Sequence, residues 1–298
     1  MFVNYLKTTI RNLANNKVSA FINIFGLSIG MTCAILILLW TQDELSYDRY
    51  HENSDRICQA YLKSERDEQV GYQETTSPAI AGILKSEYPE VLETVRMTRL
   101  PEAVFKVGNK IIVESLGGAA DSAIFDVFTF PFIKGNRNTA LADPYNIVLT
   151  ESTAAKYFGE TEPLGKTIRI NDSYDFTVTG VIRDLPQNTY RTFDFVVPFV
   201  FLKEIGQDII GSPFFPCVYL TYALLQDNVS FSDLSDKVAK RIFSKGEEIS
   251  FEIVLVPLHD VYALDNGSET KIVLLAGIAF FVLIIACVNY MNLTTAFF

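Results

Sequence analysis

Two long apolar runs bracket this chain of 298 residues. The first run covers residues 21–40 and the second covers residues 272–288, and neither contains a charged residue. At the rise of an α-helix, these runs would form helices about 30 Å and about 25 Å long, close to the thickness of a bilayer core. The runs therefore predict two transmembrane helices with one large domain between them.

The charges are distributed unevenly along the chain. All 35 acidic residues lie between the two runs, whereas the residues before the first run include Lys7, Arg11 and Lys17 and no acid. Basic residues next to a span are retained in the cytoplasm, so this leader predicts a cytoplasmic N-terminus and a large domain on the outer side. A cleaved signal peptide is the alternative, but the run is long for one and TQDELSYDRYH (41–51) offers no small-x-small cleavage site.

The predicted organisation follows from these runs. Its segments are a cytoplasmic amphipathic helix at 1–17, a transmembrane helix at 18–40, an outer domain at 41–269, a second transmembrane helix at 270–290 and a cytoplasmic end at 291–298. Lys7 and Arg11 are predicted anchors at the inner interface, and Trp40 and Tyr290 are predicted anchors at the two boundaries of the membrane. Membrane lipid is therefore an expected partner.

Small residues recur in the first span. Gly26, Gly30 and Ala34 are spaced by four residues, and this pattern predicts a face against which another helix can pack. The same pattern is frequent by chance in apolar segments, so a face without a partner is the alternative. No Gly or Pro lies between Gly30 and Gly71, which predicts that the first helix continues past the membrane to Asn53 as a stiff stalk.

The outer domain alternates strand-like and helix-like segments, which predicts an α+β fold. Strands are predicted at 57–62, 95–116, 147–150, 166–182, 218–225 and 251–258, and helices at 78–88, 151–158 and 230–243. A change near residues 186–195 predicts two lobes, at about 54–186 and about 187–262, with helical stalks at both ends.

Glycine and asparagine predict several local features of this domain. Gly108-Asn109 and residues 171–173 are predicted hairpin turns, and Gly159 is predicted to end a helix. Gly180 lies inside an alternating strand and predicts a bulge. Gly117-Gly118 predicts a turn from a strand to a helix.

The sequence contains no motif for catalysis. It lacks the G-x-x-x-x-G-K-[ST] phosphate loop, the H-E-x-x-H zinc motif and the G-x-S-x-G nucleophile elbow. The two histidines, His51 and His259, are far apart in sequence and each lies near a predicted span, which disfavours a hydrolase triad. We therefore expect a non-catalytic protein without cofactor or metal. The acidic outer domain would repel polyanions, so nucleic acid is not an expected partner.

Two cysteines, Cys58 and Cys217, lie in the outer domain. An oxidising compartment would permit a disulfide between them, but two cysteines in a domain of this size do not form a disulfide framework. Unpaired thiols are the favoured interpretation, and a single disulfide is the alternative.

The order and spacing of several motifs resemble a known family. The motifs are DSAIFDVFTFPFIKGN (121–136), ALADPYNIVLTESTAAKYFGETEPLGKTIRIN (140–171) and YDFTVTGVIRDLPQNT (174–189). They resemble the periplasmic core domain of macrolide-exporter (MacB)/FtsX-like ABC transporter permeases. The opening segments 4–40 and 43–57, with LVPLHDVYAL (255–264) and IIACVNYMNLTTA (284–296), are similar to the Bacteroidota members of that family.

The resemblance implies an α+β periplasmic domain of two lobes, porter and sabre, between two transmembrane helices of an inner-membrane permease. It implies a cytoplasmic ABC ATPase as a partner, together with a second permease unit, as a homodimer, a heterodimer or a fused second half. A periplasmic partner protein is a further expectation. Family members continue beyond the position of Phe298 into further spans, so the chain is expected to be an N-terminal fragment or a truncated product. An extracytoplasmic sensor domain of a two-span receptor is the alternative function.

Overall fold

The computed structural model describes residues 17–66, 69–207, 217–241, 243–245 and 249–295. These residues fall into two compact units, one formed by the described parts of Met1–Ser46 and Tyr262–Phe298 and the other by those of Tyr47–Val261. The helices are α1 Lys17–Glu44, α2 Ala79–Glu87, α3 Ile124–Val127, α4 Glu151–Phe158, α5 Phe201–Glu204, α6 Phe231–Ala239, α7 Leu258–Asn266 and α8 Ser268–Thr295. The strands are β1 Ile57–Arg66, β2 Gln69–Gln73, β3 Val91–Leu100, β4 Ala103–Val107, β5 Lys110–Glu114, β6 Gly117–Ala120, β7 Phe132–Gly135, β8 Asn146–Thr150, β9 Thr167–Ile170, β10 Tyr174–Ile182, β11 Phe195–Pro198, β12 Leu220–Leu225, β13 Phe243–Lys245 and β14 Ile249–Pro257.

The first unit consists mainly of the two long apolar helices, α1 and α8, which pack against each other. The Glu44 carboxylate at the end of α1 accepts hydrogen bonds from the Ser268 hydroxyl and, at 3.5 Å, from the Tyr262 hydroxyl. Among the described residues, Ile24–Glu44 is by itself long and apolar enough to cross a membrane. A second candidate consists of Leu258–Asn266 and Thr270–Ile285, which meet the same requirement only if the two helices are taken together as one broken span.

The first helix is shorter than predicted. It ends at Glu44 rather than near Asn53, so the expectation of one continuous stalk is wrong. The N–H and hydroxyl of Ser46 both donate to the Asp43 carbonyl, at 2.9 and 2.7 Å, which tightens the last turn. Asp48 then has a φ of 56°, in the left-handed region, which an α-helix does not accommodate.

The second unit is built on one sheet. Within the described residues, 14 strands are connected in the order β13-β14-β1-β12-β3-β6-β11-β8-β10-β9-β4-β5, with β2 on β1 and β7 on β10. Most neighbours are antiparallel, and the pairs β8–β10 and β6–β11 are parallel. The predicted α+β class is confirmed.

The strand order does not follow the predicted division at residues 186–187. Strands β1 and β3, from the segment 54–186, lie on either side of β12 from the segment 187–262, and β11 from the second segment lies between β6 and β8. Strands distant in sequence are hydrogen-bonded neighbours here, and sequence adjacency does not reveal such pairing. The division into lobes at about 54–186 and about 187–262 stays a prediction.

Most of the predicted local features are confirmed. Helices 78–88 and 151–158 appear as α2 and α4, and Gly159 follows α4 with a φ of 59°. Gly108 has a φ of 55° in the turn between β4 and β5, which suits glycine because it has no Cβ. The register between β8 and β10 shifts between Val178 and Gly180, as the predicted bulge requires.

Gly117 and Gly118 do not form the predicted turn. They begin strand β6, which lies between β3 and β11. A Cβ on Gly117 would lie 2.3 Å from the ring carbon Cζ of Phe195, so the absence of a side chain lets this aromatic ring cover the strand. Glycine is needed here for close packing and not for a turn, and the sequence alone did not distinguish these two roles.

The core of the second unit has three apolar clusters. One lies around β4, β8 and β10 with helices α4 and α5, one lies near the middle with α3, and one lies around β1, β12 and β14 with helices α2 and α6. Val178, on the alternating strand β10, is 1% exposed and belongs to the first cluster.

Candidate functional site: the polar junction after the first helix

The segment that follows α1 is the first part of the second unit, and two loops of that unit hold it in place. We call residues 47–53 the junction segment. Its first contact is with residues 188–190. The N–H of Asp48 donates to the Asn188 carbonyl at 2.9 Å, and Asp48 Oδ1 accepts from the N–H of Tyr190 at 3.1 Å. The hydroxyls of Thr189 and Tyr50 are 3.0 Å apart and share a hydrogen bond.

The second contact is with residues 127–129. The N–H of Thr129 donates to His51 Nδ1 at 3.0 Å, and the N–H of Glu52 donates to Thr129 Oγ1 at 2.8 Å. The Asn53 amide donates to the Val127 carbonyl at 3.4 Å. The junction segment thus exchanges backbone and side-chain hydrogen bonds with two loops that are themselves distant in sequence.

Aromatic rings enclose the imidazole of His51. The ring centroid of Tyr50 lies 4.0 Å from that of His51, and the rings of Phe128 and Phe130 meet it edge-on at 5.0 and 5.6 Å. Because Nδ1 accepts a hydrogen bond, the ring is the neutral tautomer with its proton on Nε2. Burial lowers the pKa of His51 from 6.5 to about 4, which keeps this tautomer neutral at pH 7.

Asp48 is also buried, with 5% of its surface exposed. Burial raises the pKa of its carboxyl from 3.8 to about 6, although the Tyr190 N–H and the Arg191 charge act in the opposite direction. A carboxylate with this environment remains mostly ionised at pH 7 and is held by the N–H groups and the cation around it.

Arg191 extends the junction towards the centre of the sheet. Its guanidinium forms an ion pair with Glu74, lies 4.1 Å from the ring centroid of Tyr190, and hydrogen-bonds to the Tyr222 hydroxyl. The main-chain carbonyl of Glu74 accepts a hydrogen bond at 3.0 Å from the amide of Gln59, which is fully buried in β1. Polar contacts therefore connect the junction segment to β1 and to β12.

Little space remains beside the two buried titratable side chains of the junction segment. The cavity beside Asp48 and His51 measures about 20 Å³, which is too small for a metabolite. Within the described residues, no group of three His, Cys, Asp or Glu side chains could hold a metal ion. The hydrogen bonds of the junction segment hold it against residues 127–129 and 188–190.

The structure locates the residues predicted from the sequence as follows. In α1, Gly30 and Ala34 are buried and Gly26 and Trp40 are half-buried, so the predicted packing positions lie on the less exposed side of a helix whose large side chains are mostly exposed. Tyr290 lies in α8. Lys7 and Arg11 lie outside the described residues. The packing and anchoring roles stay predictions.

The two cysteines of the outer domain differ in burial. Cys58 is fully buried in β1, and burial raises the pKa of its thiol to about 12. Cys217 is half-buried. Two unpaired thiols and a single disulfide therefore both stay predictions.

The sequence analysis did not identify the junction as a site. It considered His51 only as a possible catalytic base and assigned Asp48 to a helix. The signal that could have found them is the segment DELSYDRYHENSDRI (43–57), which contributed to the family resemblance without any assigned role.

The described residues thus contain an apolar helix long enough to cross a membrane and, after it in the sequence, a sheet-rich unit. The sequence profile of the MacB-like periplasmic core domain matches residues 20–241. The chain belongs to this family, the periplasmic domains of MacB-like ABC transporter permeases.

Solved structures are similar to this chain to different degrees. A domain of a candidate permease protein from Porphyromonas gingivalis is 24% identical, covers 70% of this chain and 92% of its own length, and superposes with a TM-score of 0.61. The periplasmic region of MacB from Actinobacillus actinomycetemcomitans is 17% identical over 63% of this chain and 82% of its own, with a TM-score of 0.47. The extracellular domain of the noncanonic ABC-type transporter YknZ from Gram-positive bacteria is 17% identical over 62% and 91%, with a TM-score of 0.46. No curated protein matches the sequence.

Proposed function

We propose that this chain is a permease subunit of a MacB/FtsX-type ABC transporter. It transmits ATPase-driven motion across the inner membrane to the periplasmic domain, for the export or extrusion of a substrate. The polar junction is the observation that carries this proposal, because it holds the residues that follow the first apolar helix firmly against the rest of the second unit. The chain itself is not expected to hydrolyse ATP.

The junction is suited to transmission because its contacts are many and buried. Each hydrogen bond of this kind contributes about 1 kcal/mol, so separating the junction segment from both loops would cost several kcal/mol. Displacement of the segment is therefore expected to move the domain before the contacts break. A flexible Gly/Ser linker in the same place would absorb such a displacement.

The membrane arrangement is part of the same proposal. Large apolar side chains along both long helices are exposed, among them Phe21 at 66%, Leu38 at 67% and Val273 at 73%, as expected for helices that face lipid. With the basic leader in the cytoplasm, both helices span the inner membrane and the second unit lies in the periplasm. A cytoplasmic ABC ATPase and a second permease unit are the proposed partners.

The proposal can be tested with fluorophores on the two sides of the junction. The full chain is reconstituted with its ATPase in bilayers that contain a headgroup quencher, with one fluorophore at the exposed Gln42 of α1 or at the exposed Ser122 of the domain. ATP is expected to change the quenching of both labels. Active ATP hydrolysis by the complex with no change at either label would contradict the proposed function.

A junction variant separates transmission from other effects. Thr129→Val removes the acceptor for the Glu52 N–H and is combined with Asp48→Ala, which removes the acceptor for the Tyr190 N–H. The response of the Gln42 label to ATP should persist, and that of the Ser122 label should fall. Thr177→Val, at an exposed position on β10, is the matched control and should retain both responses. An undiminished Ser122 response in the junction variant would show that motion reaches the domain by another route.

A further inference from the structure

A pocket of about 110 Å³ lies beside strands β3, β6 and β12. Its remaining wall is formed by residues 190–193, which precede β11. Sites that enclose a whole metabolite usually measure about 300 Å³ or more, so this pocket suits a small molecule or one end of a larger one. We call it the Arg99 pocket, after Arg99 of β3, which lines it.

The pairing of β3 with β6 places Arg99 at this pocket. Side chains alternate between the two faces of a strand, so Arg99 and Met97 lie on the same face of β3. Arg99 pairs with Gly118 of β6, and a Cβ added to Gly118 would lie 3.5 Å from Cε of Met97, on that same face. Because Gly118 has no side chain, space remains beside the side chain of Arg99.

The pocket carries a net positive charge. Arg99 is exposed, and among the described residues its guanidinium has no hydrogen bond or ion pair. Arg191 also lines the pocket, but its charge is balanced by the carboxylate of Glu74. No described acidic residue lines the pocket, although the chain has 35 acidic and 25 basic residues. Arg99 is therefore available to an anion without competition from a carboxylate of the pocket itself.

Apolar side chains form much of the lining. Met97, Phe193 and Leu220 line the pocket, are 8%, 3% and 9% exposed, and belong to one apolar cluster. A strongly hydrated ion such as phosphate would lose water against these side chains without a hydrogen bond in return. A carboxylate attached to an apolar group would meet the guanidinium with its charge and cover the apolar side chains with the rest of the molecule.

We propose that the Arg99 pocket binds a monocarboxylate that carries an apolar group. The planar guanidinium of Arg99 donates two parallel hydrogen bonds to the carboxylate. Thr192, which is exposed and lines the pocket, supplies a further donor. The apolar group then lies against Met97 and Leu220. The carboxylate belongs either to a small organic acid or to the C-terminus of a peptide. This inference goes beyond the proposed function and does not depend on it.

Fluorine NMR of para-fluorobenzoate tests the proposal. The full chain is incorporated into lipid nanodiscs, and the signal change caused by empty nanodiscs is subtracted. The compound should bind with a dissociation constant on the order of 1 mM, as expected for a ligand of this size. Para-fluorobenzylamine has a similar shape and the opposite charge, and it should not bind. Equal binding of the two compounds, or no binding of para-fluorobenzoate, would overturn the proposal.

Substitutions at exposed positions locate the binding site. Arg99→Gln removes the charge and should weaken the binding of para-fluorobenzoate by about tenfold or more. Arg183→Gln, at another exposed arginine, is the matched control and should retain the affinity of the wild type. Thr192→Asp places a carboxylate of the chain in the pocket and should also weaken binding, whereas Thr192→Ser should not. Unchanged affinity in both Arg99→Gln and Thr192→Asp would place the compound elsewhere and refute the proposed site.

Competition with unlabelled compounds then identifies the class of ligand. Benzoate should displace para-fluorobenzoate. Displacement by N-acetylphenylalanine as well would assign a peptide C-terminus, whereas displacement by benzoate alone would assign a small acid, and either result supports a carboxylate site. The amide of N-acetylphenylalanine, which lacks the carboxylate, should not compete. Inorganic phosphate that competes as well as benzoate does would contradict the proposed ligand, because the apolar lining would then contribute nothing.

Discussion

Replacing Asp48 with asparagine is expected to stabilise the domain at neutral pH. The φ of Asp48 is 56°, and asparagine tolerates this left-handed conformation better than most residues. The asparagine Oδ1 can still accept the hydrogen bond from the Tyr190 N–H. The substitution therefore removes the buried charge and changes little else.

The size of the effect follows from the pKa of the carboxyl, which burial raises from 3.8 to about 6. Between these values the folded state keeps a proton that the unfolded state has released. The stability contributed by Asp48 is therefore greatest below pH 3.8 and is lost as the pH rises through about 6. The ionised carboxylate costs the folded state about 3 kcal/mol at pH 7, and asparagine is free of this cost.

His51 has the opposite dependence on pH. Burial lowers its pKa from 6.5 to about 4, so the unfolded state takes up a proton first as the pH falls. Its contribution to stability is complete above pH 6.5 and decreases by about 3 kcal/mol as the pH falls to 4. In the wild-type protein, the pH dependence that Asp48 gives to the free energy of unfolding largely cancels the one that His51 gives. In Asp48→Asn, only the pH dependence from His51 remains.

Urea unfolding of Tyr47–Val261 from pH 4 to pH 7.5, followed by circular dichroism, measures both effects. Asp48→Asn should be more stable than the wild type by about 3 kcal/mol at pH 7 and equal to it near pH 4. Asp55→Asn, at an exposed position, is the matched control and should follow the wild type at every pH. Parallel curves for Asp48→Asn and the wild type would refute the assignment of a buried charge.

Three further outcomes are expected. Tyr47–Val261, a compact unit with its own apolar clusters, should fold alone and melt cooperatively, and a gradual melt would contradict this. Val178→Asp should abolish folding, since the residue is 1% exposed, whereas Val113→Asp at 56% exposure should not, as circular dichroism can show. Gly117→Ala should destabilise the domain by about 2 kcal/mol in urea titrations, because its Cβ would meet the Phe195 ring at 2.3 Å. Gly82→Ala in α2, where no atom is found within 4 Å of the added Cβ, should stabilise the domain by about 0.5 kcal/mol. Equal effects of the two substitutions would disprove the close packing of Gly117 against Phe195.

The features that the sequence predicted well depend on short-range chemistry. The helix 151–158 with Gly159 at its end, the turn at Gly108 and the bulge at Gly180 each follow from the backbone preference of one or two residues. Strand order depends on which apolar faces meet in three dimensions. The alternation of apolar and polar residues in a strand does not show which other strand it pairs with. The position of β12 between β1 and β3 could therefore not be predicted from the sequence pattern.

The junction was hidden for a related reason. In the sequence, Asp48 and His51 are polar residues that follow an apolar helix. They are buried because residues 127–129 and 188–190 pack against them in the folded domain. The absence of Gly and Pro predicted a longer helix, but helix propensity is weak beside a set of tertiary hydrogen bonds. Polar residues that become buried through distant contacts leave no periodic signal in the sequence.

The position of β1 in the sheet has a consequence for the order of folding. Its neighbours on either side are β12 and β14, so that Cys58 lies opposite both Ala223 and Pro257. A ribosome supplies β1 first and those two strands last, and until then β1 can pair only with β2 along residues 62–66. Contacts of such large sequence separation form slowly and leave an apolar strand exposed in the meantime. The nascent domain is thus expected to depend on holding chaperones until synthesis has passed residue 257, and truncations before β14 should be degraded.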